Sequence, residues 1–171
     1  MTLDRTPLIV IAVMPDDIQA QLDGLRRAHY PAERNRVPAH CTLLHAVPGM
    51  VADELAQTCA TLAATTRSPS ARIERVIDLD GGTALAVDSP DLLVLREAIA
   101  ERFCGMLTGA DTLPARLHVT VQNKVERRTA HVLQAELRRA WHPRAITVAG
   151  LAAHRVRDGV WHPAGAWRFR R

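Results

Sequence analysis

The chain has 171 residues, 47% of them apolar and 23% charged, with a formal net charge of +4. That composition describes one ordinary globular domain and excludes a disordered or fibrous chain. Its longest apolar stretch, Leu8 to Met14, is too short to span a bilayer, and no secretory leader is read at its start, so the expected compartment is the cytosol and no membrane partner is expected.

Leu8 to Val13 is a short branched apolar run and reads as a buried strand. Pro15 opens a helix with Asp16 and Asp17 in its first turn, where carboxylates suit the positive end of the dipole. Ile18, Leu22 and Leu25 form its stripe, and Pro31 bars its continuation. Val37 to Val47 is the next strand-like run, closed by Pro48-Gly49, and Val51 to Thr65 is a helix with Val51, Leu55, Cys59 and Leu62 on one face. After a joint at Arg67 to Ser70, Ala71 to Leu79 and Thr83 to Val87 flank Asp80-Gly81-Gly82 as a hairpin. Ser89-Pro90 caps a helix carried by Leu92, Leu95, Ile99 and Phe103. Arg116 to Lys124 is a strand, Glu126 to Trp141 a helix, and Ala145 to Arg157 a strand that turns at Asp158-Gly159 and returns through Trp161 to Phe169. Strands and helices interleave with at least two hairpins, so the expected class is α+β with antiparallel pairing.

The order contains an internal echo, roughly residues 1–66 and 71–145, with C-terminal strands over 145–170 completing the sheets of one domain, 1–171. The echo sharpens at His40-Cys41-Thr42-Leu43 and His118-Val119-Thr120-Val121. Each tetrad reads histidine, apolar, threonine, apolar. On a strand, residues two apart project together, so each tetrad offers an imidazole beside a hydroxyl on a rigid support. Histidine titrates near neutrality, so one ring can take a proton from an attacking oxygen while its twin gives one to a departing oxygen. The hydroxyls can hold the non-bridging oxygens of a phosphate between them. This chemistry needs neither cofactor nor metal, and His40, His45 and His118 lack the spacing of a zinc site.

The tetrads resemble the two-histidine phosphoesterase superfamily, and the flanking stretches Val37-Pro38-Ala39, Gln122-Asn123-Lys124 and Asp78-Leu79-Asp80-Gly81-Gly82 are similar to those of its bacterial 2′-5′ RNA ligase-like members. The likeness runs from Leu8 to Phe169. It implies two pseudo-symmetric lobes, each an antiparallel sheet with outer helices, flanking a central cleft. It places catalysis on His40, Thr42, His118 and Thr120. It implies a phosphodiesterase acting on a 2′,3′-cyclic phosphate or a 2′-5′ linkage, with a nucleotide or RNA terminus as substrate. Cys41 stands where such proteins usually carry a β-branched residue or leucine. It points away from His40, and no catalytic thiol is expected.

Further substrate contacts are expected from Gln122 and Lys124, which share a face with His118 if the strand stays regular. Arg155 and Trp161 flank the Asp158-Gly159 turn and can clamp a nucleotide, the guanidinium on phosphate and the indole on a base. Tyr30 precedes a stretch, Pro31 to Arg36, that is either a lid or a surface loop. A non-catalytic module that binds RNA ends or nucleotides in the same cleft stays open as the alternative, and a monomer is expected.

Overall fold

A computed structural model describes residues 4–171. The first three residues of the expected domain therefore lie outside the described residues. The chain runs β1 (Leu8–Val13), α1 (Asp16–His29), β2 (Cys41–Val47), α2 (Ala52–Thr65), β3 (Ser70–Asp78), β4 (Thr83–Asp88), α3 (Pro90–Arg102), β5 (His118–Gln122), α4 (Arg127–Ala140), β6 (Arg144–Thr147), β7 (Gly150–Arg157) and β8 (Val160–Arg168). The strands make one eight-stranded sheet in the order β6-β3-β4-β5-β2-β1-β7-β8, and every named neighbour pair is antiparallel.

Local sequence explains most boundaries. Ser89 accepts a hydrogen bond from the Leu92 amide at 3.2 Å, with Pro90 in the first turn of α3. The β3–β4 hairpin turns through Asp80 (φ 56°) and Gly81 (φ 104°). A Cβ at Gly82 would stand 2.6 Å from the Gln122 carbonyl oxygen, so that position admits no side chain. From α4, the buried Gln134 side chain donates to both Asp78 Oδ1 (3.0 Å) and the Gly82 carbonyl (3.1 Å), fastening the hairpin.

One expected strand is two. The run from Ala145 to Arg157 breaks at Val148 and Ala149: β6 pairs with β3 at one end of the sheet, and β7 pairs with β1 near the other. The break is held by tertiary bonds, the Val148 amide donating to Pro69 O and the Ala149 amide to Val13 O, both at 2.8 Å. The stretch Val37 to His40 is not strand either, and β5 spans only His118–Gln122.

Side-chain parity divides the sheet into two faces. Leu8, Val10 and Ala12 of β1, Cys41 and Leu43 of β2, Leu85 and Val87 of β4, Val119 and Val121 of β5, and Leu151 and Ala153 of β7 are buried in one cluster with the apolar stripes of α1 to α4. All four helices thus cover the same face. Burying each such leucine contributes roughly 1.5–3 kcal/mol. The other face carries no helix. On it Ile9, Ile11 and Ala152 form a small cluster against Val13, Val156 and Trp161, and the polar members of the tetrads lie on the same side.

Candidate active site

At the middle of the sheet β2 meets β5 through a single residue pair, Cys41 with Val119. Both side chains are fully buried on the helical face. Burial pushes the Cys41 thiol up to about 12, which keeps it protonated and inert. Carrying this antiparallel register one residue either way sets His40 opposite Thr120 and Thr42 opposite His118, all four on the helix-free face and all partly exposed. Side chains directly opposite have Cβ atoms about 4.5–5.5 Å apart, and diagonal neighbours about 7–8 Å. The two imidazoles occupy the diagonal.

The rings are held alike. His40 Nδ1 lies 2.8 Å from the Pro38 carbonyl oxygen, and His118 Nδ1 lies 2.8 Å from the Arg116 carbonyl oxygen. A carbonyl only accepts, so each Nδ1 carries the hydrogen and each Nε2 is the nitrogen left for chemistry. The backbone just before His40 is itself fixed from α1: Gln19 Nε2 donates to the Ala39 carbonyl (2.8 Å), and the Ala39 amide donates to Asp23 Oδ1 (2.7 Å).

The surroundings of the two rings differ. Trp161 of β8 packs on His40 with ring centroids 4.5 Å apart, and His154 stacks on the same indole at 4.8 Å. Burial holds the His40 imidazole well below its usual range, at about 4; the Pro38 carbonyl opposes this, and the charges of Arg26, His118 and His45 reinforce it. Beside His118 the helix-free face is floored by small side chains, Ala84 opposite Thr120 and Ala86 opposite His118. A cavity of about 850 Å³ extends from His118 over Ala86 and Ile77, with Arg75 and Arg116 among its lining.

The other expected contacts are scattered. Trp161 reaches the tetrads, but through His40. Arg155 has the parity of Leu151 and Ala153, so it points to the helical face, where it donates to the Thr6 carbonyl (3.1 Å) and pairs with Asp4 (3.4 Å). The β7 side chain on the helix-free face is its neighbour, His154. Gln122 is buried and accepts from the Thr83 hydroxyl at 2.9 Å. Regular alternation ends there: Lys124 lies beyond the strand, exposed, with φ 59°. Tyr30 packs its ring 4.2 Å from the guanidinium carbon of Arg26. The loop after Tyr30 is pinned through Asn35, whose Oδ1 accepts from Arg26 Nε at 3.0 Å. His45 faces Asp111, with Nδ1 and Oδ1 2.9 Å apart.

Two functional-looking residues escape a reading by periodicity, the buried arginines Arg26 and Arg96. A signal was present: Ile18, Leu22 and Arg26 recur every four residues, which puts Arg26 on the apolar face of α1.

A family model described as the 2′-5′ RNA ligase superfamily matches residues 14–159. Among solved structures the chain is similar to TT0787 of Thermus thermophilus, with 18% identity, 96% of this chain and 98% of that chain covered, and a TM-score of 0.65. It is also similar to LigT of E. coli in its apo form, with 16% identity, coverage of 98% and 99%, and a TM-score of 0.60. LigT complexed with 3′-AMP aligns at 15% identity, with coverage of 98% and 99% and a TM-score of 0.58. No curated protein sequence matches.

Proposed function

The chain belongs to the 2′-5′ RNA ligase superfamily, and on that premise we propose that it is a metal-independent phosphodiesterase that opens the 2′,3′-cyclic phosphate of a nucleotide or RNA terminus. With a 5′-hydroxyl in place of water, the same site forms a 2′-5′ link. The observation that carries this reading is the matched tautomer of His40 and His118, each with Nδ1 tied to the carbonyl two residues upstream.

His40 is the base. Its ring is neutral at physiological pH because water is kept from it. His40 Nε2 takes a proton as the water oxygen bonds to phosphorus. The bond from phosphorus to one ribose oxygen breaks, and His118 Nε2 gives that oxygen its proton. His118 carries both ring protons for this step, with Nδ1–H held by the Arg116 carbonyl and Nε2–H free to be given. The Thr42 and Thr120 hydroxyls donate to the two non-bridging oxygens. The ribose, which keeps the phosphate through its other oxygen, lies with its base on the His118 side, over the cavity lined by Arg75 and Arg116 together with Glu74 and Asp88.

The test is a panel of 2′,3′-cyclic mononucleotides and short RNAs with cyclic-phosphate ends, assayed with and without chelator, with the product identified as 2′- or 3′-phosphate. Turnover unaffected by chelator is expected. Binding of 3′-AMP without turnover of any cyclic phosphate would replace this reading with the non-catalytic one, and loss of turnover on chelation would refute metal independence.

A pH prediction follows from Trp161. The pH profile of kcat/KM reports the groups of the free enzyme. With His40 at about 4, its acidic limb is expected near that value. Trp161→Ala lets water reach the ring, so the pKa rises toward the ordinary histidine value and the limb moves up with it. Relative to pH 7, activity at pH 5 should fall roughly tenfold. A limb that stays in place would show that the indole does not control the base.

A further inference from the structure

β2 and β5 are bridged by one residue pair and separate on either side of it, so backbone groups of both motif strands lack sheet partners. Two arginines, each only 3% exposed, meet those groups from behind. Arg26 of α1 donates from Nη1 to the Thr120 carbonyl of β5 at 3.0 Å and from Nε to Asn35 Oδ1 at 3.0 Å. Arg96 of α3 donates from Nε to the Leu43 carbonyl of β2 at 3.3 Å and from Nη2 to the Asp111 carbonyl at 2.8 Å. The arrangement is crossed. The helix between β1 and β2 reaches β5, and the helix between β4 and β5 reaches β2.

A guanidinium is a costly way to satisfy a carbonyl. Burying the charge carries a desolvation penalty of several kcal/mol, and a neutral donor or a water would serve the oxygen as well. Arg96 pairs with Glu97 through Nη1 at 2.6 Å, whereas among the described residues Arg26 makes no ion pair with a carboxylate, and burial lowers its pKa. What a guanidinium adds is a planar fork that holds two partners at fixed angles. Each fork here holds a motif strand and a second segment: Thr120 with the loop leading to His40, and Leu43 with the turn at Asp111.

We propose that Arg26 and Arg96 are positioning residues, crossed struts that set the spacing of β2 and β5 and so the gap between the His40–Thr42 and His118–Thr120 pairs. The inference rests on the reading of those four residues as the reacting set. Arg26 is the stronger strut, because α1 also grips the Ala39 backbone through Gln19 and Asp23 and so ties both imidazoles to one helix.

The test is Arg26→Lys, which keeps the charge and one donor but loses the fork, with Arg96→Lys as the second variant. Misplacing reacting groups by about 1 Å can cost on the order of a hundredfold in rate. For each variant kcat on a cyclic mononucleotide should fall about tenfold to a hundredfold, per folded molecule, with KM within threefold. Asn35→Ala, which frees one tine of the Arg26 fork, should act in the same direction with a smaller loss. A variant that loses thermal stability while its folded fraction keeps the wild-type kcat overturns the proposal. A second readout needs no turnover. In the wild type, inorganic phosphate should shift the Nε2 resonances of His40 and His118 together, with one dissociation constant, and in Arg26→Lys the shift at one ring should shrink relative to the other because a bound phosphate no longer touches both. Identical titrations in wild type and variant overturn the struts. Rings that fail to respond together in the wild type overturn the reading of the site itself, and the struts with it.

Discussion

His40→Ala and His118→Ala are each expected to lower kcat on a 2′,3′-cyclic phosphate by about 10²–10⁴-fold, the range supplied by a positioned proton donor or acceptor. Both rings sit on the helix-free face, partly exposed, and neither is part of the buried cluster, so stability should change little. The two variants should differ in pH dependence. Without His40 the acidic limb of kcat/KM disappears, because the group that must be deprotonated is gone. Without His118 the basic limb disappears, because the group that must be protonated is gone. The reverse pattern would exchange the two roles, and wild-type turnover in both variants would sink the two-histidine mechanism. The double variant should be little worse than the single ones, because both rings act in one displacement.

Much of this arrangement was legible in the sequence, and the reasons are local. Leu8 to Val13 is a branched apolar run between turn signals, and it is β1. Ser89-Pro90 carries its own cap and start signal, and it begins α3. The tetrads were legible because alternation on a strand is a rigid rule, and one pairing, Cys41 with Val119, is enough to put both on the same face. The illegible parts depend on partners distant in sequence. Nothing near Val148 and Ala149 announces a break; Pro69 and Val13 make it. Strand parity placed Gln122 and Lys124 beside His118, but β5 ends at Gln122, where Thr83 draws that side chain into a buried pair. Parity assigns His154, not Arg155, to the helix-free face, and it could have been counted from Leu151 and Ala153 had their burial been known. The four-residue spacing of Ile18, Leu22 and Arg26 marks Arg26 as inward-facing, but what either arginine meets is legible only once β2 and β5 are known to part.

The parting of β2 and β5 also explains how a sheet, normally filled by its own ladder, gathers the four tetrad side chains at its centre. The Asp111 carboxylate takes the amides of His45 (2.8 and 3.0 Å) and Ala46 (2.9 Å), standing in for a neighbouring strand along β2. Those amides hold the Asp111 carboxyl below its usual range against the opposing effect of burial. With side chains and arginine forks replacing ladder bonds, the two tetrads need meet at only one residue pair. Four polar side chains then gather at that point while the Thr120 and Leu43 carbonyls and the His45 and Ala46 amides keep partners.

Thr42→Val and Thr120→Val should each reduce kcat by about 10²–10³-fold, the usual cost of removing one donor from a developing oxyanion. Valine keeps the β-branched shape that suits the strand, so the change isolates the hydroxyl. By the register of Cys41 with Val119, Thr120 stands opposite His40 and Thr42 opposite His118, so on the proposed mechanism each non-bridging oxygen would meet one hydroxyl beside one ring. Charge builds on those oxygens as the incoming bond forms, so the loss should fall mainly on kcat rather than KM. Serine at either position keeps the donor but frees its rotamer, and should recover most of the lost rate. If the valine variants raise KM and leave kcat intact, the hydroxyls bind the ground state alike and do not serve the transition state. If the serine variants are impaired and the valine variants are not, the methyl group rather than the hydroxyl matters, and the threonines are packing residues of the sheet.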